Sequence, residues 1–347
     1  VVLWDVAQRT VRCRVQAFEG AVRGVALESR GRFFAACGDD YYVNVYSAEA
    51  ALRTQLISRT VVQSVELCAD DRRLVAAGEG AELWDLEKAV VVDRFAWGTD
   101  SLSRARFSPV ERHLLACAGA DRGLFLYDCR QRSLLAKVSL LNKSSAVAWS
   151  PLEPFHLLAG NEDGNVYGFD ARRLERPHTI YKDHIGAVLD LDYAPTGRRF
   201  VSGSYDRTVR IFDVRSGKAL ETYHAKRMQK VLCVQWTADG KYLLSGSEDA
   251  NLRVWKAVKH ARDGLVPPRE QRAADYRERL VARFARTRPV RQITKTHLPK
   301  YLLNAKRKRQ AMKEARFRRE ENRRVFNEEV FEEPLPEKRR KVAQFEE

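Results

Sequence analysis

Few side chains in this sequence are placed to do chemistry. Asp206 lies in the turn Ser204-Tyr-Asp-Arg207, and His184 precedes it by 22 residues. Both types can move protons at suitable pKa values. Asn161-Glu-Asp-Gly-Asn165 is rich in oxygen ligands of the kind calcium takes. Beyond these the signals stop. No Gly-x-Ser-x-Gly elbow, Walker-type loop or His-Glu-x-x-His pattern occurs. The six cysteines (Cys13, Cys37, Cys68, Cys117, Cys129 and Cys233) form no Cys-x-x-Cys pair, and none sits beside a histidine at metal-ligand spacing. Buried thiols in a reducing compartment are the expectation. No catalytic residue, cofactor or metal site is expected.

These residues belong to short strands. In Phe200-Val-Ser-Gly-Ser-Tyr-Asp-Arg-Thr-Val-Arg-Ile-Phe-Asp213, two strands flank a tight turn, and Val209 and Ile211 alternate with Thr208, Arg210 and Phe212. Asn161–Asn165 falls between two such strands, which makes it a plain turn. Seven strands end in an aromatic residue: Trp4, Tyr46, Trp84, Tyr127, Phe169, Phe212 and Trp255, spaced by 42, 38, 43, 42, 43 and 43 residues. Five of them are followed by Asp.

With that period and that ending, residues 1–256 resemble the WD-repeat family. The resemblance implies an all-β, seven-bladed β-propeller with four-stranded blades. It also implies that His184, Ser202, Asp206 and the strand-ending aromatic form a buried hydrogen-bonded tetrad. Phe212 has no N–H donor, so that network should stop short of its fourth member. The last repeat keeps Ser245, Asp249 and Trp255 but carries Arg227 at the histidine position. The third, with Glu79-Gly-Ala-Glu82 at its turn, is the most degenerate. Val1 falls inside the third strand of the first blade. Its first two strands, and the outer strand that closes the ring, are therefore expected upstream of Val1 or missing.

After Trp255 the composition changes. The chain carries a formal net charge of +16, of which +13 lies from Lys256 onward, leaving a nearly neutral body. Residues 257–268 read as a linker broken by Gly264 and Pro267-Pro268. Residues 269–326 read as a helical basic extension. Its first helix runs from Arg269 to Phe284 with Ala273, Tyr276, Leu280 and Phe284 as one apolar stripe, which should dock on the propeller or a partner. Arg286 to Thr296 looks extended, and a second helix should run from near Pro299 to about Phe326. That helix carries Lys306, Arg307, Lys308, Arg309, Lys313, Arg316, Arg318, Arg319, Arg323 and Arg324, and is charged nearly all round. Residues 327–347 are expected to be a charged, disordered tail unless draped over a partner. No run of about 18 apolar residues exists, so no membrane-spanning segment is expected.

This extension has its own resemblance. Arg269-Glu270, Tyr276, Leu280, Phe284, Pro289, Ile293, His297-Leu-Pro-Lys300 and Met312-Lys-Glu-Ala-Arg-x-Arg-Arg-Glu-x-Asn322 look like the suppressor-of-fibrillarin (SOF-type) WD-repeat proteins, as does Tyr223-His-Ala-Lys-Arg-Met-Gln229 in the last blade. Thr294–Thr296 departs from that pattern. The resemblance implies a non-enzymatic, nucleolar scaffold of the small-subunit processome, associated with the U3 snoRNA particle and needed for 18S pre-rRNA processing. Pre-rRNA or U3 snoRNA would contact the basic extension, and processome proteins the propeller faces. The ten basic residues above and Lys338-Arg-Arg-Lys341 can clamp phosphates, arginine by donating two parallel hydrogen bonds. Base-stacking aromatics are not interleaved, so contact with the backbone is expected rather than sequence reading. A cullin-4 ligase receptor is the alternative, on the cue of Tyr127-Asp-Cys-Arg130, Phe169-Asp-Ala-Arg172 and Phe212-Asp-Val-Arg215. No homo-oligomer is implied.

Overall fold

The computed structural model describes residues 1–258 apart from 6, 7, 9, 17, 29 and 96–100, and then residues 267–290, 298–326 and 336–346. Seven antiparallel sheets follow one another along the chain. The first pairs Val2–Asp5 with Thr10–Arg14; then come four-stranded meanders over 22–57, 64–95, 102–140, 144–181 and 188–223, and three strands over 231–256. From the second sheet on, the first strand of each packs against the first strand of the next, which sets the sheets around an axis as the blades of a β-propeller. Among the described residues no strand pairing joins the last sheet to the first.

The core lies between blades. Phe200 and Phe212 stack at 5.1 Å and face Tyr181 and Leu191, while Val209 and Ile211 turn to Val231, Val234 and Leu243 of the following sheet. The strand Val209–Asp213 is therefore apolar on both faces, and the alternation read from it distinguishes two neighbours rather than core from solvent. Each such side chain contributes about 1.5–3 kcal/mol by burial, against about 1 kcal/mol net for one hydrogen bond. Packing is what the degenerate repeats rely on. Gly197 closes the turn after Ala194 with φ +64°, and a Cβ there would lie 2.6 Å from Leu152.

Around the axis, the first strands are stitched by side chains that sequence reading missed. Glu66 accepts from the Phe107 amide, Asp190 from Val234 and Asp192 from Trp236, at 2.5, 2.9 and 2.6 Å. Arg106 pairs with Glu66, and Arg104 reaches past the intervening blade to Asp190, both at 3.2 Å. Burial pushes the Asp192 carboxyl up to about 6, against the Trp236 amide and the Arg106 charge.

Four cysteines are buried, Cys13 is half-buried and Cys233 is exposed, which corrects the expectation of six buried thiols. Cys233 lies in the first strand of the last sheet, opposite Gly246.

In the extension, α1 spans Pro268–Arg283, α2 Lys300–Phe326 and α3 Glu337–Arg340. The stripe of α1 is not docked on the propeller: Tyr276, Leu280 and Phe284 are exposed. Residues 288–290 are helical rather than extended, because a proline in a first helical turn needs no N–H; the remainder, 291–297, lies outside the described residues. The expectation of disorder over 327–347 fails at 336–346. There α3 leads into the strand Val342–Glu346, which adds to the edge strand Ser133–Leu140 and satisfies its free backbone groups.

The Trp84 indole N–H is buried without a hydrogen-bond partner among the described residues. Ala76 lies two positions beyond Leu74, the strand partner of Trp84, as Ser245 lies two beyond Leu243, the partner of Trp255, whose indole donates to the serine hydroxyl at 2.8 Å. Ala76→Ser should supply that acceptor and stabilise the chain by about 1 kcal/mol, read as a raised denaturant midpoint. An unchanged or lowered midpoint contradicts the equivalence.

Candidate nucleic-acid interface

The implied tetrad forms as a three-residue network. His184 Nε2 lies 2.6 Å from Ser202 Oγ, and Nδ1 lies 3.0 Å from Asp206 Oδ2, all buried. Phe212 offers only its ring, 6.1 Å from the imidazole. Thr208 takes up the spare capacity, donating its hydroxyl to Asp206 at 2.5 Å and its amide at 3.0 Å. Arg210 adds its charge at 3.8 Å. Burial works to raise the Asp206 pKa, yet the His184 charge and these hydrogen bonds hold it well below the usual carboxylate range. In the last blade only Ser245 and Trp255 meet. Arg227 is exposed, and Asp249 instead accepts from Arg253 at 3.1 Å and from Asn251 at 3.1 Å.

The network holds two backbone carbonyls toward the extension. Tyr301 at the start of α2 donates its hydroxyl to the Asp206 carbonyl at 2.9 Å. Arg309, two turns on, donates to the His184 carbonyl at 2.8 Å and to the Asp163 carbonyl at 3.3 Å. Between them Leu302 is 2% exposed, and Lys306 lies 3.7 Å from Asp183. The Asn161–Asn165 turn serves the same end. Asp163 accepts from Tyr167 and Asn165 within its blade and from Lys341 of the C-terminal segment at 2.9 Å. Among the described residues no group of three or more His, Cys, Asp or Glu could hold a metal ion.

The ten basic residues of α2 thus divide. Lys306 and Arg309 are engaged with the propeller, and Arg316 is paired along the helix with Glu320 at 3.2 Å. Arg307, Lys308, Arg318, Arg319 and Arg323 are exposed and have no hydrogen-bond or ion-pair partner among the described residues. Lys313 and Arg324 are exposed as well. Residues 311–319 and 321–326 all face solvent. The result is a helix about 40 Å long fixed by its first third and otherwise presenting guanidinium and ammonium groups outward.

Residues 257–342 match the Sof1-like domain, and residues 175–213 and 217–256 match the WD domain, G-beta repeat. The "DDB1- and CUL4-associated factor 13" of Danio rerio is 38% identical over 330 residues, covering 93% of this chain and 74% of that protein. The chain belongs to the Sof1-like WD-repeat family. The Homo sapiens protein of the same name is 37% identical over 330 residues, 92% of this chain and 74% of its own. "Protein sof1" of Schizosaccharomyces pombe is 34% identical over 198 residues, 57% of this chain and 45% of its own. In this Sof1-like chain the matched domain includes α1, α2 and α3 and the residues Tyr301, Arg309 and Lys341 that reach Asp206, His184 and Asp163.

Two outcomes follow. Tyr301→Phe combined with Arg309→Ala should speed amide exchange in α2 by about a hundredfold or more, through the loss of one neutral and two charge-assisted hydrogen bonds. Unchanged exchange would show that these contacts do not hold the helix. Because the Asp206 pKa is depressed by folding, its contribution is complete above the unfolded value near 4 and is lost as pH falls below it. Asp206→Asn should therefore lower stability at pH 7 and flatten its decline between about pH 5 and 2, measured by denaturant midpoints. Parallel acid limbs in the two proteins contradict that assignment.

Proposed function

We propose that this chain is a non-enzymatic scaffold of the small-subunit processome. In this reading it is associated with U3 snoRNA, acts in the nucleolus and is required for 18S pre-rRNA processing and 40S subunit assembly. The observation that carries it is α2: a helix inside the Sof1-like match, anchored to the propeller at one end and offering Arg318, Arg319 and Arg323 beyond it, exposed and without a partner among the described residues. Exposed guanidinium groups in a row suit a phosphate backbone, which they neutralise while releasing counterions. The propeller supplies a rigid base on which the helix keeps its direction, and its faces are left for neighbouring proteins.

A second reading, a cullin-4 ligase substrate receptor, is favoured by the printed name of the relatives. Its cue in this chain is weaker. Arg130 and Arg172 lie over their own Asp128 and Asp170, at 3.2 and 3.0 Å, so both are engaged within their blades.

Roughly six phosphate contacts along a single strand give a log–log salt slope of about −4. The purified chain should bind single-stranded RNA with such a slope, and removing residues 269–347 should abolish it. Binding that ignores salt would exclude RNA as the partner of the extension. In cells, co-sedimentation with ribosomal precursor particles is expected, whereas recovery only in a ligase complex without RNA would favour the second reading.

A further inference from the structure

A cleft of about 1050 Å³ opens between the loop that follows Asp170 and the C-terminal α3. Its lining is mostly basic: Arg172, Arg173 and Arg176 from the blade, Lys338 and Arg339 from the helix, with His178 beside them. Among the described residues the one acid in the lining is Asp170, already paired with Arg172 at 3.0 Å. Arg172 is also held over the Phe155 ring at 4.8 Å. Among the described residues, the guanidinium groups of Arg173, Arg176 and Arg339 have no hydrogen-bond or ion-pair partner, and all three are exposed. Arginines from segments more than 160 residues apart thus meet at one cleft.

The far wall is fixed in place. Lys338 donates to the His178 carbonyl, Glu337 pairs with Lys182, and the strand after α3 is hydrogen-bonded to the blade edge. Bringing the cations of α3 against those of the loop costs Coulomb energy, and this docking offsets it. The C-terminal segment that forms this wall also comes close to α2. Asp163 receives Lys341 from one side and Arg309 from the other, and Lys313 of α2 is near enough to help Lys182 depress the Glu337 pKa. At this volume the cleft exceeds most small-ligand pockets, and its lining offers charge without a base-stacking face among the unpaired groups.

We propose that this cleft is a second RNA-phosphate contact, into which the strand bound along α2 runs on over the rim of the propeller. The site takes backbone phosphates, with Arg173, Arg176 and Arg339 as the clamping groups. It rests on the reading of the chain as an RNA-bound scaffold. The test uses the full chain and a labelled single-stranded RNA of mixed sequence, titrated over a range of salt. The triple variant Arg173→Ala, Arg176→Ala, Arg339→Ala should lose about 2 from the magnitude of the wild-type slope. Its Arg→Lys counterpart should keep it, and both should melt with the wild type because these side chains are exposed. A parallel variant, Arg318→Ala, Arg319→Ala, Arg323→Ala, reports on α2. If the α2 variant weakens binding and the cleft variant leaves both slope and affinity unchanged, the cleft proposal is overturned and the scaffold reading stands. If the wild type itself shows no salt-dependent binding, the scaffold reading falls, and the cleft with it.

Discussion

The buried contact between His184 and Asp206 does two jobs through one set of atoms. Its side chains satisfy one another inside the blade, where an unpaired carboxylate would be costly. That closure leaves the backbone carbonyls of the same two residues facing the extension, where Tyr301 and Arg309 find them. A blade that kept its shape by packing alone would not fix those oxygens to the accuracy a hydrogen bond needs. The direction of α2 therefore depends on a network that is not itself part of any interface.

Why the helix docks only by its start follows from its composition. Tyr301, Leu302, Leu303 and Ala305 gather apolar surface at its start, and beyond them Met312, Phe317, Val325 and Phe326 are scattered among charges and exposed. Apolar residues so dispersed give that part of the helix no face to bury. Arg307, Lys308, Arg318, Arg319 and Arg323 are available to a polyanion because no described residue engages them. The C-terminal segment behaves differently because a bulge in its pairing sets Val342 and Phe345 opposite Leu140 and Val138, and both pack against the cluster that includes Tyr167 and Phe169.

Much of this architecture was legible in the sequence because the signal repeats. The strand-ending aromatics gave the blades, and the absence of an indole at Phe212 gave the truncated network. What was not legible depends on contacts between distant segments. Glu66, Asp190 and Asp192 stitch one blade to the next, yet nothing local distinguishes them from surface acids. Asp249 pairs with Arg253 because the exposed Arg227 leaves its histidine partner's place empty. Residues 336–346 looked too charged to order, since their alternation was short and their partner strand lay 200 residues away. The same gap hid the division of α2, as only the structure shows which of its cations already have partners.

Ultraviolet crosslinking of RNA to this protein in cells, with the crosslinked peptides mapped by mass spectrometry, tests the central claim most directly: that the propeller holds the extension so that its free cations meet RNA. The account predicts crosslinked peptides from the exposed part of α2, residues 311–326, and from the rim beside it. Crosslinks confined to the axial strands of the propeller, or to neither region while the protein remains in RNA-containing particles, would contradict it.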